Sequence, residues 1–272
     1  MNGSALEGIL RRDRAIIIAA LAFLTVLCWV DLVWLADDMW MGGMDMTGYR
    51  MIPTGQGLMM PANEPWKPIE FGYVFLMWVV MMIGMMTPSA APAILIYARI
   101  GREAIAQGRP FAPTAWFVSG YLLAWTGFSV AATSAQWALQ RAALLTPTMA
   151  ATTGMIGSIL LIVGGLYQWT PLKDTCLSRC QSPLSFVLSR GGFRSDAAGS
   201  LSLGWRHGLY CVGCCWALMA LLFALGIMNL FWIAALAFLV LLEKVIPAGR
   251  IIARIAGIAF MAAGGWMLMY PA

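Results

Sequence analysis

Seven long apolar stretches, near residues 15–36, 69–98, 113–138, 149–169, 207–227, 229–246 and 252–270, constrain this chain more than any other feature. A helix needs about 20 mostly apolar residues to cross the hydrocarbon of a bilayer. Inside lipid, every peptide group must be hydrogen-bonded within the protein, so such stretches fold as helices. The expected fold is therefore all-α: one polytopic membrane domain over 1–272 with about seven transmembrane helices. Composition agrees, with 61% hydrophobic and 11% charged residues and a mean hydropathy of +0.79. Soluble domains carry about 25% charged residues. A soluble enzyme, a nucleic-acid binder and a disordered scaffold are excluded together.

The net charge of +5 is a topology signal. Fourteen of the 17 basic residues fall in alternate connections, among them Arg11, Arg12, Arg14, Arg99, Arg102, Arg109 and Lys173, while Arg50, Lys67 and Arg141 occupy the others. Cytoplasmic loops hold the excess of Lys and Arg. The N-terminus is thus expected inside and the C-terminus outside, in a bacterial cytoplasmic (inner) membrane. That orientation makes 37–68 an extracytoplasmic loop and 170–206 a cytoplasmic one. The first apolar run is long and lacks a small-residue cleavage site, so no removable signal peptide is expected. At Asn229 two spans meet almost without a connection, and a single re-entrant hairpin is the alternative there.

Methionine is the compositional anomaly. Twelve of 20 lie between Met39 and Met86. Seven belong to the 37–68 loop, including Met44 and Met46 in the polar, Gly-bearing segment DDMWMGGMDM. A thioether in a solvated loop gains little from burial but can ligate a soft ion such as Cu(I). The alternative is a flap that packs on the membrane or a partner. In the second stretch Met77, Met81 and Met85 recur every four residues and share a helix face. Met82 and Met86 widen that stripe, which ends at TPSAAP, where prolines are expected to kink the helix and free backbone carbonyls. Lipid-facing or packing methionines are the alternative to a sulfur-lined passage.

Five of the six cysteines lie toward the expected cytoplasmic side. Cys176 and Cys180 are spaced i, i+4 in KDTCLSRC. If the fifth span begins near Trp205, then His207, Cys211 and Cys214/Cys215 share one face. Cytoplasmic thiols stay reduced, which favours metal binding over disulfide staples, with small apolar packing as the alternative. Cys28, in mid-span, reads as a packing residue. Asp31 lies within the first span, where a carboxylate is a functional candidate by default or snorkels to the interface. Glu243-Lys244, followed by Pro247 and Gly249, reads as an anchor at a helix end. No nucleotide-binding glycine motif, HExxH, CxxCH or GxSxG is present, so no catalytic activity is expected.

Three segments carry a resemblance: MMIGMMTPSAAPAILIYARI, YQWTPLKDTCLSRC, and HGLYCVGCCWALMALLFALGIMNLFWIAALAFLVLLEKVIPAG. Over roughly 65–270 they are similar to a bacterial domain-of-unknown-function family of predicted metal-binding integral membrane proteins, some labelled copper chaperones. That resemblance implies a helical membrane protein and a metal, copper above all. The positions matching its motifs are Cys176, Cys180, His207, Cys211, Cys214 and Cys215.

The expected function is to bind a soft metal, Cu(I), and to pass it between compartments or to a partner. Outer methionines including Met44 and Met46 would capture it, Met77, Met81 and Met85 would line a passage, and the thiols would hold it. The expected partners are the lipid bilayer and a copper-dependent protein or larger membrane complex, with no nucleic acid. Two other classes remain: a non-catalytic scaffold or assembly subunit, and a membrane thiol–disulfide oxidoreductase.

Overall fold

The computed structural model describes residues 3–39, 48–146, 149–188 and 196–270. Among the described residues the regular elements are helices and one short hairpin. Helix α1 (Gly3–Met39) leads to strands β1 (Tyr49–Met51) and β2 (Met59–Pro61), which pair antiparallel with Arg50 opposite Met60. Helices α2 (Pro68–Ala106), α3 (Thr114–Arg141), α4 (Gly154–Tyr167), α5 (Pro171–Gln181) and α6 (Pro183–Leu188) follow. The chain ends with α7 (Ala197–Ala220), α8 (Leu222–Leu225), α9 (Leu230–Val245) and α10 (Gly249–Met269).

Among the described residues, five helical segments are long and apolar enough to cross a membrane: Arg14–Met39, Pro68–Ala106, Thr114–Arg141, Ala197–Leu225 and Gly249–Met269. The expectation of seven spans is met only in this coarser form. The fourth stretch becomes α4, whose 14 residues reach about 21 Å. It bends by 64° into α5 at a break where Thr170 accepts a hydrogen bond from Lys173 N and Pro171 starts the new helix. The sixth becomes α9, whose 16 residues reach about 24 Å. Between α8 and α9 the chain turns at Gly226, whose φ of 94° suits glycine. Asn229 then caps α9 by accepting from Trp232 N.

Helices α2, α3, α7 and α9 pack in a ring, each against the next. Helix α1 lies against α2, α10 covers α4, and α5 crosses α7 and α9. The α3–α7 contact is the closest, because glycines let the two backbones touch. A Cβ on Gly204 would stand 2.0 Å from Phe117 O, and one on Gly120 would stand 2.1 Å from Leu201 O. Gly204 and Gly208 form the small-xxx-small spacing by which helices approach in apolar surroundings.

Part of the described portion of the 37–68 segment is packed and not solvated. Met39, Met51 and Ile52 are buried, and Gly55 sits where a Cβ would strike the Trp34 ring. Arg50 pairs with Glu70 in the first turn of α2 at 2.8 Å, and also donates to Pro61 O and Glu64 O. The 170–206 segment is likewise not an open loop, since it contains α5, α6 and the start of α7. Met44 and Met46 lie outside the described residues.

This packing predicts that Gly204→Ala destabilises the protein, because the methyl group meets backbone that cannot swing aside. Overpacking of this kind costs about 1–3 kcal/mol. Gly72→Ala, in a helical position with nothing within 4 Å, is the control expected to be neutral or stabilising. Thermal denaturation of the two variants in the same detergent checks the difference.

Candidate metal centre

The core enclosed by the ring is rich in sulfur. Met77, Met81, Met82, Met85 and Met86 of α2 are each at most 1% exposed. The stripe expected from their spacing therefore faces the protein and not lipid. Helix α7 adds Cys211, Cys215 and Met219, spaced four residues apart and also buried. From the 142–153 connection, Met149 enters the same core, where its Sδ accepts from Gln136 Nε2 at 3.1 Å. Gln136 in turn accepts from Trp78 Nε1 at 2.8 Å.

Helix α2 runs without interruption through Pro88 and Pro92. Side chains take up carbonyls along this stretch. Thr87 Oγ1 donates to Ile83 O, and both Ser89 Oγ and Tyr121 OH donate to Met86 O. Tyr121 OH also lies 3.1 Å from Cys211 Sγ. The methionine stripe therefore ends directly beside the thiols.

Cysteines from α5 and α7 meet at that level. Cys180 Sγ is 3.9 Å from Cys214 Sγ, and Cys214 Sγ is 3.2 Å from Cys215 Sγ. Cys214 Sγ also donates to Cys211 O at 3.1 Å, one turn earlier on α7. Cys176 stands just outside this group, with its Sγ 2.9 Å from where a Gly213 Cβ would be. His207 lies one turn before Cys211 on α7, as the spacing predicts, and packs its ring against Phe117 and Tyr121. It also lines a cavity of about 10 Å³ with Ala93, Tyr97 and Val187, room for about one water. Cys28 packs against Gly84, in line with its reading as a packing residue.

Two expectations need correction. First, α7 begins at Ala197 and not near Trp205, because Asp196 caps it by accepting from Gly199 N at 2.8 Å. The α7 cysteines consequently sit deep along the helix, beyond its first three turns. Second, Glu243 and Lys244 are not an exposed anchor. Glu243 is fully buried, bonded to Lys173 Nζ at 2.6 Å, with Gln168 Nε2 also donating to it at 3.3 Å. Lys244 Nζ donates to Ser89 Oγ at 3.0 Å and to Cys211 Sγ at 2.8 Å. Together with Tyr121 these are the site residues that spacing alone missed. A signal existed, since charge inside an apolar stretch is functional by default.

The donor set is soft, with the thiols of Cys180, Cys214 and Cys215 in successive contact and Cys211 one turn away, which suits a soft monovalent ion such as Cu(I). Among the described residues, however, no three His, Cys, Asp or Glu side chains surround a common point as a ready cage. Contacts between sulfurs are pairwise, and one thiol is engaged by an ammonium. Such an arrangement offers an ion few ligands, unlike the closed four-ligand cage of a structural zinc site.

No curated protein and no solved structure matches the chain. The profile of the PpoB2 family, described as copper chaperone, matches residues 75–267. The match takes in the α2 methionine stripe, all cysteines of α5 and α7, and Lys244. It covers well over half of the 272 residues, so the chain belongs to the PpoB2 copper chaperone family.

Proposed function

We propose that this protein is a membrane-embedded carrier of Cu(I). Two thiols of the group Cys180, Cys211, Cys214 and Cys215 hold the ion at a time, and the α2 methionines lead to them. One observation carries this reading: thiols from two separate helices converge at the end of a continuous buried methionine stripe, in a chain of a copper chaperone family. Cys176 and His207 flank the site as candidate entry or exit ligands. Met44 and Met46, with Met39 and Met51 nearby in sequence, are the proposed point of capture.

The positive-inside bias puts the β hairpin and the 37–68 segment outside, and the 170–206 segment on the cytoplasmic side. The bilayer depth in this reading follows from two exposed tryptophans on α3, Trp116 and Trp137. They are separated by about 31 Å along the helix, close to the hydrocarbon thickness. Tyr121, which touches Cys211, is then about 8 Å above the inner edge. The thiols would thus receive an ion inside the membrane, one short step from the cytoplasm. A copper-dependent protein or a larger membrane complex is the proposed recipient.

Removing sulfur from the centre should remove the metal. Cys211→Ser and Cys214→Ser in combination keep small groups able to bond to Lys244 and Tyr121, so the fold should persist. Anaerobically purified double variant is expected to lose most of the copper that the wild type retains, as read by elemental analysis. Unchanged stoichiometry would make the thiols packing residues and favour a scaffold role.

The methionine stripe has its own test. Leu replaces Met with little change in volume, typically for less than about 1.5 kcal/mol, but without the sulfur. Met77, Met81 and Met85 changed together to Leu should leave expression and stability intact. Copper delivery into proteoliposomes is expected to fall sharply. Equal rates for wild type and triple variant would mean that the stripe is packing and not a path.

A further inference from the structure

Five Lys, Arg, Asp or Glu side chains are buried among the described residues: Arg50, Glu70, Lys173, Glu243 and Lys244. Arg50 closes with Glu70 at 2.8 Å, and Lys173 closes with Glu243 at 2.6 Å, so each pair is neutral within itself. Lys244 is different. Its ammonium meets a hydroxyl and a thiol, and no carboxylate among the described residues is bonded to it. It stands at the rim of the sulfur cluster, so whatever charge the cluster carries is set against this one positive charge.

Building on the thiol site proposed above, we propose that Lys244 makes that site select monovalent over divalent soft cations. A monovalent cation held by two thiolates carries a net charge of −1, which the Lys244 ammonium cancels. A divalent cation on the same two thiolates is neutral, and the ammonium is then left as an uncompensated charge away from water. Burying an unpaired charge is costly, so the divalent complex is disfavoured. A divalent ion escapes this penalty only by recruiting a third thiolate. The described residues do not hold three such ligands about one point, and a zinc-like ion further requires four. Position matters as much as sign. At 2.8 Å from Cys211 Sγ the ammonium is close enough to act on the bound ion through little intervening polar material. Lys244 is thus a specificity residue that acts through charge without ligating the metal.

The test uses Ag(I) and Cd(II), soft ions of different charge that do not change oxidation state during the measurement. Full-length protein in lipid nanodiscs is equilibrated with both ions together, and the bound ratio is read by elemental analysis. Wild type is expected to hold Ag(I) in strong preference to Cd(II). In Lys244→Met the Ag(I)/Cd(II) ratio is expected to fall about tenfold or more, given the strength of a single charge at this range. Lys244→Arg, which keeps the charge, should retain the preference. An unchanged ratio in Lys244→Met overturns the proposal. Should that variant fail to fold, wild type alone remains decisive, because equal retention of Ag(I) and Cd(II) also overturns it while leaving the thiol site standing. Retention of neither ion by wild type overturns the copper reading itself, and the selection with it.

Discussion

A lysine that leaves water needs something to stabilise its charge, and the arrangement of α2, α5, α7 and α9 can be followed outward from that need. Lys244 finds Ser89 from α2 and Cys211 from α7. Its neighbour Glu243 is already taken by Lys173 from α5. Breaking a buried pair of that kind costs about 3–5 kcal/mol, so the ends of α5 and α9 are held in register. Gln181 reinforces them by donating to Glu243 O at 2.7 Å. Gly249 allows the approach, since a Cβ there would fall 2.4 Å from Gln181 Nε2. The polar contacts thereby fix where α5 crosses α7, and that crossing brings Cys180 to Cys214.

Backbone contact does the complementary work on the other side of the ring. Apolar surroundings offer little hydrophobic drive between helices, so close packing of small residues must supply attraction. Gly120, Gly204 and Gly208 bring α3 against α7, and with it Tyr121 against Cys211. Large flexible methionines then fill the space that the ring encloses. A thioether fills irregular gaps well, so the same side chains serve as core and as the proposed path. Sulfur content and packing are not competing explanations here, because the ions would travel through the core.

Much of the fold was legible in hydropathy, and the limits of that legibility have physical causes. Long apolar runs identify α1, α2, α3, α7 and α10, because an apolar stretch of that length has few other ways to satisfy its backbone. Helices α4 and α9 are apolar but shorter than the runs that predict them. An apolar run does not reveal where a cap such as Thr170 or Asn229 divides it. Depth was the other blind spot. The i, i+4 spacing correctly put His207, Cys211 and Cys215 on one face of α7. Their distance from the helix start depended on Asp196, which caps a stretch too polar to register as membrane-spanning. Lys244 was misread for a related reason. Its partners lie 33 and 155 residues away, and no local period encodes them.

The central claim is that copper sits among sulfurs alone, between α5 and α7, with Lys244 beside it and His207 outside the inner shell. Copper K-edge X-ray absorption on protein loaded anaerobically with one Cu(I) reads the ligand atoms directly. The account predicts a first shell composed of sulfur at low coordination number, without the multiple-scattering pattern of imidazole. A first shell dominated by nitrogen or oxygen would contradict it.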